Sequence, residues 1–499
     1  MTPNEAYERL CARSKEIAYL SSATAVLHWD LRTKIPVKGH VHRANQLSAL
    51  AKIRHAMATD PETNELLGVV EESELVLDPL SIEAVNIREW RRTYDRAVKI
   101  PEKLAVEIAR ATAEGQTVWE RARRENDWEQ FRPSLERIVA LKLEEAEALG
   151  YAEEPYDALL EYYEQGETAR NLESVFNRLR PALVKLVERI QTSAFRTDPS
   201  ILSRHFPIPD QEAFATEVAC HLGYDMDAGR LDISAHPFTT GIGPGDVRIT
   251  TRYTENHFNE AFFGVIHEAG HAMYHQGLPL EHWGTPFCSP ISLGINESQS
   301  RLWENLVARS KPFWRHFYPK AQARFASLAD VSLDRFVDAI NAVSPSLIRV
   351  EADEVTYNLH IFLRFELEVL LCRGELRVKD LPEAWNDKMK NYLGLTPADH
   401  ASGAMQDVHW SSGAIGYFPT YTLGNLYAAQ FYHRAAAELG DPDADMTKGN
   451  FGPLLEWMRG KIHTQGSRYR PRDLVRTVTG EDLNPQYFVG YLERKYLAQ

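Results

Sequence analysis

Apolar side chains recur every three or four residues, with charges between them, over 4–28, 40–57, 82–98, 101–125 and 128–148. That spacing lines one face of a helix and predicts amphipathic helices over each span. Pro101 followed by Glu102 fits a helix start, with proline at the first helical position and an acid in the first turn. A longer pattern rich in Leu, Val and Arg covers 168–196. The rhythm breaks between Asp232 and Tyr253, where Pro237, Gly241, Gly243, Pro244 and Gly245 mark turns. There Val247, Ile249, Thr251 and Tyr253 alternate with Arg248, Thr250 and Arg252, which predicts one short hairpin or edge strand. Helices resume at 257–276, with Asn256 as N-cap and Gly277 just past the end, and at 294–309. Further ones run from Ser344-Pro345 through about Cys372, over 424–439 and over 486–496. The segment 403–425, rich in Gly, Ser, aromatics and Pro419, reads as a loop. The whole predicts an all-α fold, one unit over residues 1–499 with room for two lobes around a cleft. A strand beside that cleft would suit a peptide pairing through its backbone.

Composition changes this picture little. Hydrophobic residues make up 44% and charged ones 25%, the balance of an ordinary globular protein. The formal charge of -14 is the wrong sign for a general nucleic-acid binder. Cys11, Cys220, Cys288 and Cys372 are far apart and form no CxxC pair, so neither a disulfide framework nor a cysteine metal site is expected. No basic-then-apolar leader opens the chain, and no apolar run approaches the ~20 residues of a membrane span. The expectation is a soluble, cytoplasmic protein with no membrane or nucleic-acid partner.

The chemistry concentrates at His267-Glu268-Ala269-Gly270-His271, an HExxH with apolar residues just upstream. Histidines four apart project from one helical face and can bind one zinc ion, and the glutamate between them lies where a general base would serve a water at the metal. Two histidines leave a catalytic zinc one protein ligand short. His275 continues the same face, but ligands at i, i+4 and i+8 span about 12 Å of axis, too far for bonds of ~2 Å. Glu297, 26 positions past His271 and near the start of the next helix, is the better third ligand. Glu304, two turns further on, is its rival and reads better as a structural acid.

Four more motifs follow in order: His236-Pro237-Phe238, Asp246-Val247-Arg248-Ile249-Thr250, Ile348-Arg349-Val350-Glu351-Ala352-Asp353, and Gly403-Ala404-Met405-Gln406-Asp407-Val408-His409-Trp410. With HExxH they resemble the HPF, DxRxT, IRxxAD and GxxQDxHW of the carboxypeptidase Taq family of zinc metallocarboxypeptidases. One position departs: the family commonly has histidine before the ligand glutamate, and this chain has Asn296. The resemblance implies a mostly helical fold with a long groove like those of angiotensin-converting enzyme and neurolysin. It also implies homodimers, peptide substrates with a free C-terminus, and one zinc ion per chain on His267, His271 and Glu297. Cobalt or manganese could take the same ligands.

On this reading Glu268 is the general base. Arg349 is the first choice for the substrate carboxylate, because a planar guanidinium suits that group, though an i, i+4 ion pair with Asp353 would explain it equally. His409 could donate to the substrate carboxylate or carbonyl, with Gln406 and Asp407 as local supports; its plain alternative is a packed core histidine. A tyrosine would stabilise the oxyanion, as in related helical zinc peptidases. Tyr417 and Tyr421 both qualify, and Tyr421 is preferred. Arg248 is the further substrate contact, with Arg252 beside it, and a salt-bridged structural role competes for each. His236 shapes a turn. The leading function is release of single C-terminal residues; an endo-acting zinc oligopeptidase or a non-catalytic helical peptide-binding scaffold are the alternatives.

Overall fold

In a computed structural model, which describes residues 1–192 and 197–497, the N-terminal helices form as the periodicity predicts: α1 (Pro3–Thr33), α2 (His40–Ala58), α4 (Ile82–Lys99), α5 (Glu102–Glu125) and α6 (Trp128–Leu149), with α3 (Pro61–Glu71) between α2 and α4. Pro101 is the N-cap of α5 rather than its first helical residue. After the short α7 (Pro155–Leu160), α8 runs Ala169–Thr192; the end of its predicted span, 193–196, lies outside the described residues, as do 498–499. Then come α9 (Ile208–Leu222), three strands, and α10 (Phe258–Gln276), which carries the HExxH motif. The chain continues through α11 (Leu293–Arg301), α12 (Lys311–Arg324), α13 (Leu333–Ile340), α14 (Tyr357–Cys372) and α15 (Leu381–Leu393). It ends with α16 (Pro419–Leu439), α17 (Pro442–Thr447), α18 (Gly452–Lys461), α19 (Pro471–Thr479) and α20 (Gln486–Leu497). Among the described residues no helix is long and apolar enough to cross a membrane.

Several expectations need correction. The region 232–253 holds more than one hairpin: β1 (Gly229–Ile233), β2 (Thr239–Gly243) and β3 (Asp246–Thr251) form a sheet in the order β1-β3-β2. β1 runs parallel to β3 with Gly229 opposite Val247, and β2 is the antiparallel edge. Only β3 alternates visibly; β1 owes its place to a partner some eighteen positions away, which local periodicity does not reveal. The helix expected from Ser344 starts only at Tyr357. Asp353 accepts from the backbone N–H groups of Ser344, Val355 and Thr356, a local alternative to helix, and only a 3₁₀ turn forms at Arg349–Glu351. His257, not Asn256, is the N-cap of α10, and Gly277 keeps a right-handed φ of -93. The 294–309 helix divides, α11 passing at Leu302 into a π-helical stretch that ends at Ala308. The predicted loop stops at Phe418, because Pro419, with φ preset for a first helical turn, starts α16.

α10 is buried on most of its surface. Phe258 and Phe262 stack on each other at 5.2 Å, Phe262 packs on Phe214 and Trp314, and Val265, Ile266 and Ala269 are fully enclosed. At ~1.5–3 kcal/mol for each large apolar side chain, this core fixes the helix that presents the histidines. A second, smaller core joins α1, α3 and α4 through Ala6, Leu10, Leu66, Leu67, Val70 and Ile87. Between the two cores lies a cavity of about 520 Å³, walled by α1, α4, Gly241 of β2 and the 283–291 loop.

Two glycines let α11 approach its neighbours. A Cβ on Gly270 of α10 would stand 2.6 Å from Ser300 Cα, and one on Gly424 of α16 would stand 2.5 Å from Glu297 Cγ. Gly270→Ala and Gly424→Ala are each expected to cost about 1–3 kcal/mol and to lower the melting temperature. Gly68→Ala, at an exposed position of α3 with nothing within 4 Å, should raise stability by about 0.5–1 kcal/mol. Thermal denaturation of the three variants checks the contrast.

Candidate active site

One helical turn separates His267 from His271, and their rings lie 4.9 Å apart on the same face of α10. The close approach of α11 brings Glu297 to them: its Oε2 is 3.8 Å from His267 Nε2 and 3.5 Å from His271 Nε2. One donor atom from each of the three lies within 4.8 Å of the others. Donors of a tetrahedral ion with bonds of ~2 Å stand about 3.3 Å apart, so two imidazoles and a carboxylate in this arrangement fit a divalent metal with nitrogen and oxygen ligands.

The outward atoms are all engaged. His267 Nδ1 lies 2.9 Å from Glu304 Oε2, and His271 Nδ1 lies 3.0 Å from Asn296 Oδ1. Both contacts place a proton on Nδ1 and leave the Nε2 lone pair facing Glu297. Asn296 thus has a definite task, as acceptor behind His271. Glu304, brought round by the π-helical stretch, stands behind His267 instead of joining the donor cluster. Glu297 Oε1 accepts from Arg301 Nε at 2.6 Å, which frees Oε2 for the histidines. Burial alone would raise the Glu297 carboxyl; Arg301 and the two imidazoles outweigh it and hold it well below the ordinary carboxylate range.

Glu268, 7% exposed, points toward the sheet. Thr239, the first residue of β2, places Oγ1 2.6 Å from Glu268 Oε2 and 2.9 Å from its carbonyl oxygen. His275 is packed under Gly241, and burial pushes it down to about 4, so it is neutral and apart from the cluster.

A second group forms around Arg349, and here the ion-pair expectation is overturned. Arg349 does not pair with Asp353, because residues 349–353 are not a continuous helix and i, i+4 neighbours do not face each other. Its Nε and Nη2 donate to Asp407 Oδ1 at 3.0 and 2.8 Å, and Nη1 donates to the Tyr357 hydroxyl at 2.8 Å. Asp407 Oδ2 accepts from buried Arg364 Nε at 2.7 Å, and Gln406 Oε1 accepts from the Arg349 backbone N–H. The Arg349 guanidinium stands 5.1 Å over the Tyr421 ring, and Tyr421 places its hydroxyl 3.3 Å from His409 Nε2. Among the described residues His409 Nδ1 is buried without a hydrogen-bond partner. Burial pushes His409 down to about 4 against the pull of Asp407, so the ring is neutral near pH 7. Tyr417, whose ring is 5.4 Å from Tyr421, is pushed up to about 12 by burial, with the Glu297 carboxylate adding to the rise. Arg301 joins the two groups, since its guanidinium lies 4.7 Å over the Tyr357 ring.

Arg248 stands apart from both. Its Nε and Nη2 are taken by Asp246 at 2.7 Å, and it lies 4.5 Å over the Trp29 ring of α1. Arg252 pairs with Glu260, and His236 is exposed in the turn before β2. Sequence reading missed Arg301, although its spacing from Glu297 is a standard helical ion-pair signal. Thr239, Tyr357 and Arg364 carried no such signal.

A helical protein with two histidines and a glutamate gathered at one point, beside an edge strand and a buried arginine, is built as a metal-dependent peptidase. The chain belongs to the carboxypeptidase Taq (M32) metallopeptidase family, whose model matches residues 9–496, and it is a metallocarboxypeptidase. It is 55% identical to thermostable carboxypeptidase 1 of Thermus thermophilus, across 100% of this chain and 99% of that protein. It is 41% identical to carboxypeptidase 1 of Bacillus subtilis, across 97% and 96%. The crystal structure of an M32 carboxypeptidase from Deinococcus radiodurans superposes with a TM-score of 0.95 at 38% identity, across 99% of both chains.

Two outcomes are expected. Asn296→Ala removes the acceptor behind His271 and should weaken metal affinity about 10–100-fold, measured by chelator competition. His409 also makes stability depend on pH. In the unfolded chain it binds a proton near 6.5, in the folded protein only near 4, so the unfolded state holds the extra proton between them. The melting temperature of the wild type should therefore fall further than that of His409→Gln as pH drops from about 6.5 towards 4.

Proposed function

We propose that this metallocarboxypeptidase removes one residue at a time from peptide C-termini, with zinc held by His267 Nε2, His271 Nε2 and Glu297 Oε2. Cobalt or manganese would suit the same donors. When bound, the ion supplies Lewis acidity for the scissile carbonyl and for the attacking water. The protein's own groups do the rest. Glu268 takes the proton of that water and passes it to the leaving amine, while Thr239 holds its carboxylate in place. Arg349, charged and fixed by Asp407, receives the terminal carboxylate through the guanidinium hydrogens that Asp407 and Tyr357 leave free. Neutral His409 supplies a hydrogen bond rather than a charge. The Tyr421 hydroxyl, kept protonated by burial, donates to the developing oxyanion, with Tyr417 as the alternative donor. Arg248 lines the approach at most, since its guanidinium is committed to Asp246 and Trp29.

The observation that supports this reading is the continuous path Glu297–Arg301–Tyr357–Arg349, which ties a buried guanidinium suited to a terminal carboxylate to the donor cluster. An endopeptidase has no use for such a group. We extend the reading to a single catalytic domain over residues 1–499, cytoplasmic and homodimeric. Its groove would be of the angiotensin-converting-enzyme and neurolysin kind, and the two separate cores support two lobes.

The zinc-loaded enzyme, given an N-blocked short peptide and its C-terminal amide, should shorten the free acid stepwise and spare the amide, as followed by mass spectrometry. Equal internal cleavage of both would overturn the proposal. Glu268→Gln should keep its metal and lose about 10²–10⁴-fold in kcat. Arg349→Lys should lose about 10–100-fold in kcat/KM on the acid, because one charge-assisted hydrogen-bond geometry is lost.

A further inference from the structure

His409 and Tyr417 stand at the two ends of an irregular turn, and a carboxylate outside the site grips both ends of it. Glu368 lies on α14 and is fully buried. Its Oε1 accepts from Trp410 Nε1 at 2.8 Å, and its Oε2 accepts from the Gly416 backbone N–H at 3.1 Å. Trp410 follows His409, and Gly416 precedes Tyr417. The Tyr156 hydroxyl donates to Oε2 from the other side at 2.8 Å. The turn's own backbone bonds are internal, running from Ser412, Gly413 and Ala414 back to Val408, His409 and Trp410. They shape the turn without tying it to the body of the protein. At Gly416, where φ is +93, the chain comes so close to α7 that a Cβ would meet Leu160 N at 3.0 Å.

The donor set also tells what the position requires. Three neutral donors converge on two oxygens, so both atoms must accept. Glutamine has one acceptor and one NH₂, and it would turn a donor toward the indole or toward the peptide N–H. A residue that merely filled space here would have no need to bury a carboxylate.

We infer that Glu368 is a positioning residue of the reaction, its carboxylate setting where His409, Tyr417 and Tyr421 stand relative to the histidine–glutamate centre. The inference rests on the roles given to those residues in the proposed function. Glu368 touches no reacting atom; it acts through the turn. The three donors differ in consequence, since losing Trp410 or Gly416 removes a tie at one end of the turn, beyond the anchor that Arg349 and Arg364 give Asp407, whereas losing Tyr156 removes a tie at neither.

The test uses the full-length, metal-loaded enzyme and an N-blocked dipeptide. Glu368→Gln should lower kcat about tenfold or more, with KM changed less than about threefold and metal content unchanged. In a His409→Ala background the same substitution should cost a clearly smaller factor in kcat than in the wild type, because the part of its effect that runs through His409 is already lost. Trp410→Phe, which removes one tie and keeps an aromatic ring, should follow Glu368→Gln, while Tyr156→Phe should stay within about twofold of wild type. Undiminished kcat in Glu368→Gln, or the same factor lost with and without His409, would overturn the inference. If Glu368→Gln does not fold, the same cycle with Trp410→Phe decides. An inert His409→Ala would instead refute the role given to His409, and the inference would fall with it.

Discussion

A carboxylate buried beside two histidines needs a permanent counter-charge, and Arg301 provides it. Taking a carboxylate out of water costs several kcal/mol unless a paired charge and hydrogen bonds replace the solvent. Arg301 donates to Glu297 and also to Glu304, the acid behind His267. It therefore stabilises two of the groups that orient the histidines, one directly and one from behind. Its guanidinium face rests on Tyr357, whose hydroxyl in turn accepts from Arg349. A single guanidinium thus spans the donor cluster and the group around Arg349. Lysine, a point charge without a planar face, could not reproduce both contacts.

The group around Arg349 solves the same problem with the signs reversed. Two arginines, Arg349 and Arg364, are buried around one carboxylate, Asp407. Asp407 holds one oxygen against each, so each guanidinium has a fixed hydrogen-bonded side. Arg364, enclosed and facing a second cation, is driven down to about 10 by burial and by Arg349, while Asp407 opposes the fall. The group keeps a surplus positive charge, two guanidinium groups against one carboxylate. His409, adjacent to this charge and buried, stays neutral for the same reason.

How much of this was legible in the sequence depends on how local the signal is. The histidine pair and the place of Glu268 follow from helical spacing, and the exclusion of His275 from bond lengths, which are local quantities. So does the placing of most N-terminal helices. The partner of Arg349 was not legible, because it lies 58 positions away, on the far side of α14 and α15 in the chain. Periodicity across 344–372 continued through Asp353, whose side chain competes with the helix for backbone N–H groups. Gly424 falls where the predicted loop (403–425) and the predicted helix (424–439) overlap, and nothing local says why a glycine stands there. In the structure it is there because Glu297 leaves no room for a Cβ.

The separate core of α1, α3 and α4 has a kinetic meaning. Six fully buried apolar side chains, with partly buried Tyr7, Trp90 and Tyr94 against them, hold those helices together, a far smaller core than the extended aromatic network that encloses α10. Free energies of local opening follow such differences in buried contact, so α1 and α10 belong to different cooperative units. Backbone amides on α1 should exchange with solvent while those of α10 remain protected. The helix that carries the histidine pair thus stays ordered through fluctuations that loosen α1.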